Sequence, residues 1–307
     1  MRTTMPRPFS SRTGLIAVSA GALLWGTTGV AVSIVHERSG LSAVPIGWYR
    51  VLIAALVIAG YLRLDGLRRA RAAFARHRLV IGVCGVGFAA YQALYFVGVQ
   101  YVGVSVSTLV SLGVAPVALT VGTAVAGRRR PANSGLVVLG CALIGLALIS
   151  LRPGGDHASH PVLGVLASVG SGLGYAASTV LSRRVSDEEP LVLTGLTSAI
   201  ATLVLLPLAL PFGLAPPADV ISSGWLIYIG IVPTIAAYAL FYRGLRSTTP
   251  EVAGVLTLLE PLTAALLAAA VLHESLSGWA VLGGVLMLVA VASLYLRRPI
   301  EPELPPP

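Results

Sequence analysis

The sequence predicts an all-α membrane protein of ten transmembrane helices, arranged as two inverted five-helix repeats. Three observations lead there. Of 307 residues, 56% are hydrophobic and only 11% charged, whereas about a quarter of a soluble domain is charged. Ten apolar stretches are long enough to cross a hydrocarbon core of roughly 30 Å at about 20 residues per helix. The second half of the chain also repeats the residue pattern of the first.

The ten stretches run over 14–35, 44–62, 79–99, 104–126, 134–151, 162–182, 191–213, 221–242, 251–272 and 278–296. Arg2, Arg7 and Arg12 before an apolar run resemble a secretory signal, but the length of that run, Trp25 and nine further spans argue for a retained helix. Cys84 and Cys141, the only cysteines, fall inside predicted spans and read as small packing residues without a redox role.

The formal charge of +9 comes entirely from arginine, since the chain has no lysine. With the N-terminus in the cytoplasm, eighteen of 21 arginines fall on that side: three before the first helix, six from Arg63 to Arg78, Arg128 to Arg130, and the pairs Arg183–Arg184, Arg243–Arg246 and Arg297–Arg298. This asymmetry is the positive-inside rule, and it puts both termini of a multi-pass protein of the cytoplasmic (inner or plasma) membrane in the cytoplasm. The arginines are scattered over several short loops without interleaved aromatics, which argues against nucleic acid as a partner. Anionic lipid headgroups are the natural contacts of some of them.

The duplication has four anchors in the same order. Gly14, Ala17, Leu23, Trp25, Thr28 and Val30 match Gly164, Ala167, Leu173, Tyr175, Ser178 and Val180. Ala93, Leu94 and Gly98 match Ala239, Leu240 and Gly244; Pro116 matches Pro261; and Ser134, Gly135, Val138, Leu139 and Gly140 match Ser277, Gly278, Val281, Leu282 and Gly283. The expected organisation is a cytoplasmic segment 1–13, a first repeat 14–151, an external linker 152–161, a second repeat 162–298 and a disordered cytoplasmic tail 299–307. Five helices per repeat is an odd number, so the second copy enters the membrane from the opposite side. Inverted halves can exchange conformations and open a midplane site to one side and then the other; duplication kept for packing alone is the alternative.

The segment from Ala93 to Tyr101 leading to Pro116, the Glu260–Pro261 pair, the His273–Glu274 turn before Ser277–Gly278, and Trp25–Gly26 resemble the EamA repeats of the drug/metabolite transporter superfamily. The resemblance covers residues 14 to 297. It departs from the pattern where Arg128, Arg129 and Arg130 replace the acidic turn after helix 4. It implies a ten-helix fold with a central cavity lined mainly by helices 1, 3, 4, 6, 8 and 9, and relatives that export amino acids, their metabolites or drugs.

Polar residues at membrane depth are the site candidates. Helix 9 starts near Pro250, so Glu260 lies about 15 Å deep, where a bare carboxylate costs on the order of 2.5 kcal/mol or more. It must face a cavity, pair with a cation or carry a proton, as a substrate-amine contact, a coupling site or a structural acid bonded to a neighbouring helix. Thr257 and Thr263 share its face. Arg50, counted from Pro45, lies roughly 8 Å from the outer end of helix 2, and either approaches Glu260 or snorkels to the outer headgroups or Glu37. Pro116 and Pro261 each free a backbone carbonyl in mid-helix, as paired hinges or as packing kinks.

Tyr91 and Tyr95 on helix 3, Tyr238 and Tyr242 on helix 8, and the repeat equivalents Trp25 and Tyr175 supply rings for a binding site, with Gln92 adding an amide. Interfacial anchoring fits Trp48, Tyr49, Tyr61, Trp225, Tyr242, Trp279 and Tyr295 better. Small residues such as Gly82, Gly85, Gly140 and Gly283 permit close packing inside the chain, or a homodimer face on helices 5 and 10.

The expected function is a secondary transporter, an exporter of a small polar metabolite such as an amino acid or derivative, with a proton as candidate coupling ion and no cofactor or metal. A multidrug or cationic-compound exporter is the alternative. An intramembrane enzyme or a channel is the alternative of another class. No Gly-x-Ser-x-Gly context and no lysine-bearing phosphate loop occurs, and His157 and His160 with Asp156 are thin as metal ligands.

Overall fold

The computed structural model describes residues 11–127, 131–150, 160–271 and 276–296. The Arg128–Arg130 and His273–Glu274 turns, the tail, and all but the end of the external linker lie outside the described residues. Among the described residues, nine helical stretches are long and apolar enough to cross a bilayer. Eight correspond one to one with predicted spans: α1 Arg12–Ser39, α2 Ala43–Arg63, α5 Asn133–Ser150, α6 Pro161–Val185, α7 Pro190–Phe212, α8 Val220–Leu245, α9 Pro250–Val271 and α10 Gly278–Leu296.

The remaining stretch, Gly66–Gly127, has 62 residues, about 93 Å at 1.5 Å per residue and some three times the hydrocarbon core. It cannot be one crossing. Its backbone leaves the helical region at His77 and at Gly103, where φ is 78°. The glycine turns the chain in a conformation that a side-chain-bearing residue rarely adopts, and α3 (78–102) and α4 (104–127) emerge as separate crossings. The arginine-rich segment 64–76, expected as loop, is helical and buries Ala70 and Ala73 against Val192.

Inversion of the halves is visible in the helix pairs. The repeat equivalents α5 and α10 cross each other antiparallel: a methyl group on Gly145 would fall 2.6 Å from the Gly283 carbonyl oxygen, and one on Gly283 2.5 Å from the Gly145 carbonyl. Gly145 also faces the Met287 amide and Gly283 the Ile149 amide, so the two chains run in opposite senses. The sequence pairs Gly14 with Gly164 and Gly98 with Gly244. In space Gly14 packs on Gly244, joining α1 to α8, and Gly164 packs on Gly98, joining α6 to α3. Exchanging the halves maps one interface onto the other, as a pseudo-two-fold axis requires.

This arrangement reassigns several small residues. Gly283 seals α10 against α5 within one chain, whereas Gly82 and Gly140 meet nothing within 4 Å and lie on open faces. Replacing Gly145 by Leu should therefore cost about 1–3 kcal/mol through overpacking against backbone that cannot retreat. The melting temperature in detergent should fall by several degrees in this variant and stay unchanged in Gly140→Leu; equal melting temperatures would contradict the crossing.

Candidate functional site

Three helices are interrupted well inside their spans, and the interruptions surround one aromatic cluster. Lipid offers backbone groups no hydrogen bonds, so each interruption must be satisfied by the protein. In α1 the helix stops at Gly26 and restarts at Thr28; the Thr27 hydroxyl donates to the Leu24 carbonyl at 2.7 Å and accepts from Tyr228 at 3.0 Å. In α9 the break falls at Thr257–Leu258. Pro261 has no N–H for the Thr257 carbonyl, and the Glu260 amide takes that carbonyl instead at 3.0 Å, tightening the turn.

The third interruption is a π-bulge in α8 over Ile231–Ala236. Pro233 leaves the Ile229 carbonyl free, and the buried Thr234 hydroxyl donates to it at 2.8 Å. The Thr234 hydroxyl oxygen in turn accepts from Arg50 Nε at 3.2 Å. Arg50 therefore turns inward onto α8, where it also reaches the Tyr238 hydroxyl, and does not snorkel to the headgroups or to Glu37. The interruptions of α1 and α9 abut, since Gly26 packs on Thr263 and on the Glu260 carbonyl.

The cluster joins α1, α3, α6 and α8. Trp25 lies edge-on to Tyr238 at 4.8 Å and to Tyr175 at 6.5 Å, with Phe241 at 5.2 Å. Tyr91 stands perpendicular to Tyr175 at 5.6 Å, its hydroxyl is hydrogen-bonded to that of Tyr238, and Phe88 closes the group 4.9 Å from Tyr238. Such edge-to-face pairs are favourable ring geometries. Trp25 Nε1 is buried without a hydrogen-bond partner, as is the Tyr175 hydroxyl, which Thr257 and Thr179 approach without completing a bond. Arg50 and the rings of Tyr95, Tyr175 and Tyr238 lie within electrostatic range of Glu260. Among the described residues, Arg50 and Glu260 form no ion pair within 4.0 Å.

Of the sequence-predicted residues, the fold thus brings together Trp25, Tyr91, Tyr175, Tyr238, Arg50 and Glu260. Tyr95 stands one turn away, bonded to Thr108 of α4 at 2.8 Å. Gln92 points elsewhere, donating to the Gly47 carbonyl of α2 at 3.4 Å. Thr257 and Thr263 bond back to their own helix. Tyr242, expected as an interfacial anchor, is buried against Tyr238 and Phe241. Phe88 and Phe241 were not legible as site residues, for an isolated Phe in an apolar span carries no polar signal. Pro116 sits in unbroken α4 with Gly254 of α9 packed on it, so only Pro261 coincides with a break.

Charged contacts tie the helix ends. At the arginine-rich end, Arg76 pairs with Glu188 at 3.0 Å, His77 approaches the same oxygen at 3.5 Å, and Arg69 pairs with Glu189 at 3.5 Å. Arg246 Nε and Nη2 donate to the carbonyls of Ser186 and Glu188 at 2.6 and 2.7 Å. The opposite end has Arg38 with Asp219 at 3.5 Å. Asp219 also caps α8 by accepting the Ser222 amide at 2.8 Å; the nearby Ser222 side chain and this amide, with Arg38 beside it, hold its carboxyl below the usual range.

Comparison with known proteins places this architecture. The EamA-like transporter family model matches residues 12–151 and again 162–296, and the chain belongs to that family. It is 31% identical over 280 residues to the uncharacterized transporter YwfM of Bacillus subtilis, covering 89% of this chain and 90% of the relative. It is 28% identical over 281 residues to an uncharacterized transporter of Archaeoglobus fulgidus, covering 91% and 95%. The uncharacterized inner membrane transporter YicL of Salmonella typhimurium shares 26% over 306 residues, covering 94% and 98%. One solved crystal structure superposes with a TM-score of 0.78 over 93% of this chain and 98% of its own, at 21% identity, a likeness of fold.

Two outcomes follow from these contacts. Thr234→Val strands the Ile229 carbonyl and should cost about 1–3 kcal/mol, with Thr234→Ser restoring stability; identical melting curves for all three proteins would show that the hydroxyl bridges nothing. Asp219→Ala should lower the melting temperature at pH 7. Because the folded-state carboxyl is depressed, that difference is fully present above the unfolded carboxyl range of about 4 and disappears as pH falls below it; a difference that grows in acid would contradict the capping role.

Proposed function

We propose that the chain is a secondary carrier of the cytoplasmic membrane, exporting a small polar metabolite such as an amino acid or derivative by alternating access around the aromatic cluster. The observation that carries this reading is the meeting of Glu260 and Arg50 across a group of rings at the interruptions of α1, α8 and α9. Opposite charges held apart without an ion pair suit a ligand that presents an ammonium and an anionic or acceptor group together. The unpartnered Trp25 N–H and Tyr175 hydroxyl add directional contacts.

A wholly cationic drug is the weaker reading, because it would share the cluster with the Arg50 cation. Glu260 also serves as the candidate proton-coupling group. Both termini lie in the cytoplasm on the arginine distribution, and a relative named as an inner membrane transporter supports that location. With the cytoplasmic ends latched by Glu188, Glu189 and Arg246, passage to that side requires these contacts to part.

A substrate screen in proteoliposomes, read as competition and counterflow, identifies the cargo and its direction. With a substrate in hand, Glu260→Gln should lower transport by about tenfold, equivalent to about 1.4 kcal/mol of lost interaction, or flatten its pH dependence. Rates equal to wild type at several pH values would refute a role for this carboxyl.

A further inference from the structure

The only α9 acid besides Glu260 is Glu251, and the function just described does not use it. Glu251 lies in the first turn of the helix, nine residues or about 13.5 Å before Glu260. There it lines a separate cavity of 320 Å³ between α4, α5, α9 and α10, with Thr123, Val138, Leu139, Val255 and Leu294 among its walls. That volume is at the lower end of small-molecule pockets, which run about 300–1,000 Å³. One carboxylate oxygen, Oε2, is buried and has no hydrogen-bond partner.

A glutamate in a first helical turn is ordinarily explained by the helix dipole and by capping. Here Thr249 already caps α9, accepting the Val252 amide at 3.4 Å, and Oε2 bonds to no backbone amide. A buried carboxyl oxygen without a donor is costly, so the site has an unmet demand that a group bringing N–H donors and positive charge together would meet. Among the described residues the remaining walls are largely apolar and supply no second carboxylate, which disfavours a metal ion and favours an amine with an apolar substituent.

We infer that the cavity between α4, α5, α9 and α10 is a second binding site, distinct from the aromatic cluster, that takes an organic ammonium group on Glu251. The inference needs neither a transport activity nor the role given to Glu260. The α9 N-terminus lies at the face the arginines assign to the cytoplasm, so the ammonium comes from a soluble amine on that side or from a phosphatidylethanolamine headgroup.

Titration calorimetry on the full chain in detergent, with phenethylammonium as the probe, tests the site. One saturable event is expected, absent with phenylacetate, weakened at least tenfold in Glu251→Gln and retained in Glu260→Gln. Leu139→Trp, which fills the cavity without touching the carboxyl, should block it too. In nanodiscs, weaker probe binding in phosphatidylethanolamine than in phosphatidylglycerol assigns the site to the lipid headgroup, and equal binding assigns it to a soluble amine. The inference is overturned if the wild-type chain shows no saturable binding, if both cavity variants bind as wild type does, or if Glu260→Gln is the variant that abolishes binding.

Discussion

A backbone group left unpaired in hydrocarbon has no water to turn to, and this constraint organises the molecule. Seven of the ten crossings meet it with helical hydrogen bonds, apart from end effects and the prolines inside α4 and α7, Pro116 and Pro207. Three do not. In α1, α8 and α9 the ladder is interrupted, and each interruption is closed by a threonine hydroxyl or a displaced amide: Thr27 on Leu24, Thr234 on Ile229, Glu260 N–H on Thr257. These repairs need neighbours at fixed positions, so the interruptions are held where helices from both halves converge. The aromatic cluster fills that convergence, and Arg50 is anchored by one of the repairs.

The two halves share a plan but not a chemistry. Their interfaces interchange, with Gly14 on Gly244 answering Gly164 on Gly98, and α5 meeting its own equivalent α10 at Gly145 and Gly283. Yet α6 and α4, the counterparts of the broken α1 and α9, run through without interruption. Glu260 has Ala115 as its counterpart. Irregular backbone is thus confined to α1, α8 and α9 of a nearly symmetric scaffold; in the proposed carrier the scaffold supplies the conformational exchange and this asymmetry supplies recognition.

Most of the scaffold was legible because bilayer thickness dictates element length: the predicted span 278–296 coincides with α10, and the others differ from the structure by a few residues at each end. Position along the helix axes was legible for the same reason, and the expected approach of Arg50 to Glu260 matches their electrostatic range in the fold. Direction around a helix was not. Arg50 turned to α8 because a π-bulge six helices away in sequence offered Thr234, and Gln92, one residue from Tyr91, turned to α2. The interruption at Thr27 has no proline to announce it, while Pro116 announces one that does not occur. Proline removes a donor, but whether the helix then breaks depends on which neighbour takes the orphaned carbonyl, and that is a tertiary fact.

The inverted architecture requires an odd number of crossings between equivalent points of the two halves. It is tested most directly by single cysteines at the exposed residues Ala72, between α2 and α3, and Ala218, between α7 and α8, in a chain lacking Cys84 and Cys141. With a membrane-impermeant maleimide, Ala218→Cys should react in intact cells and Ala72→Cys only after lysis. Reaction of both positions from the same side would mean an even number of crossings between them, and the inverted architecture would be wrong.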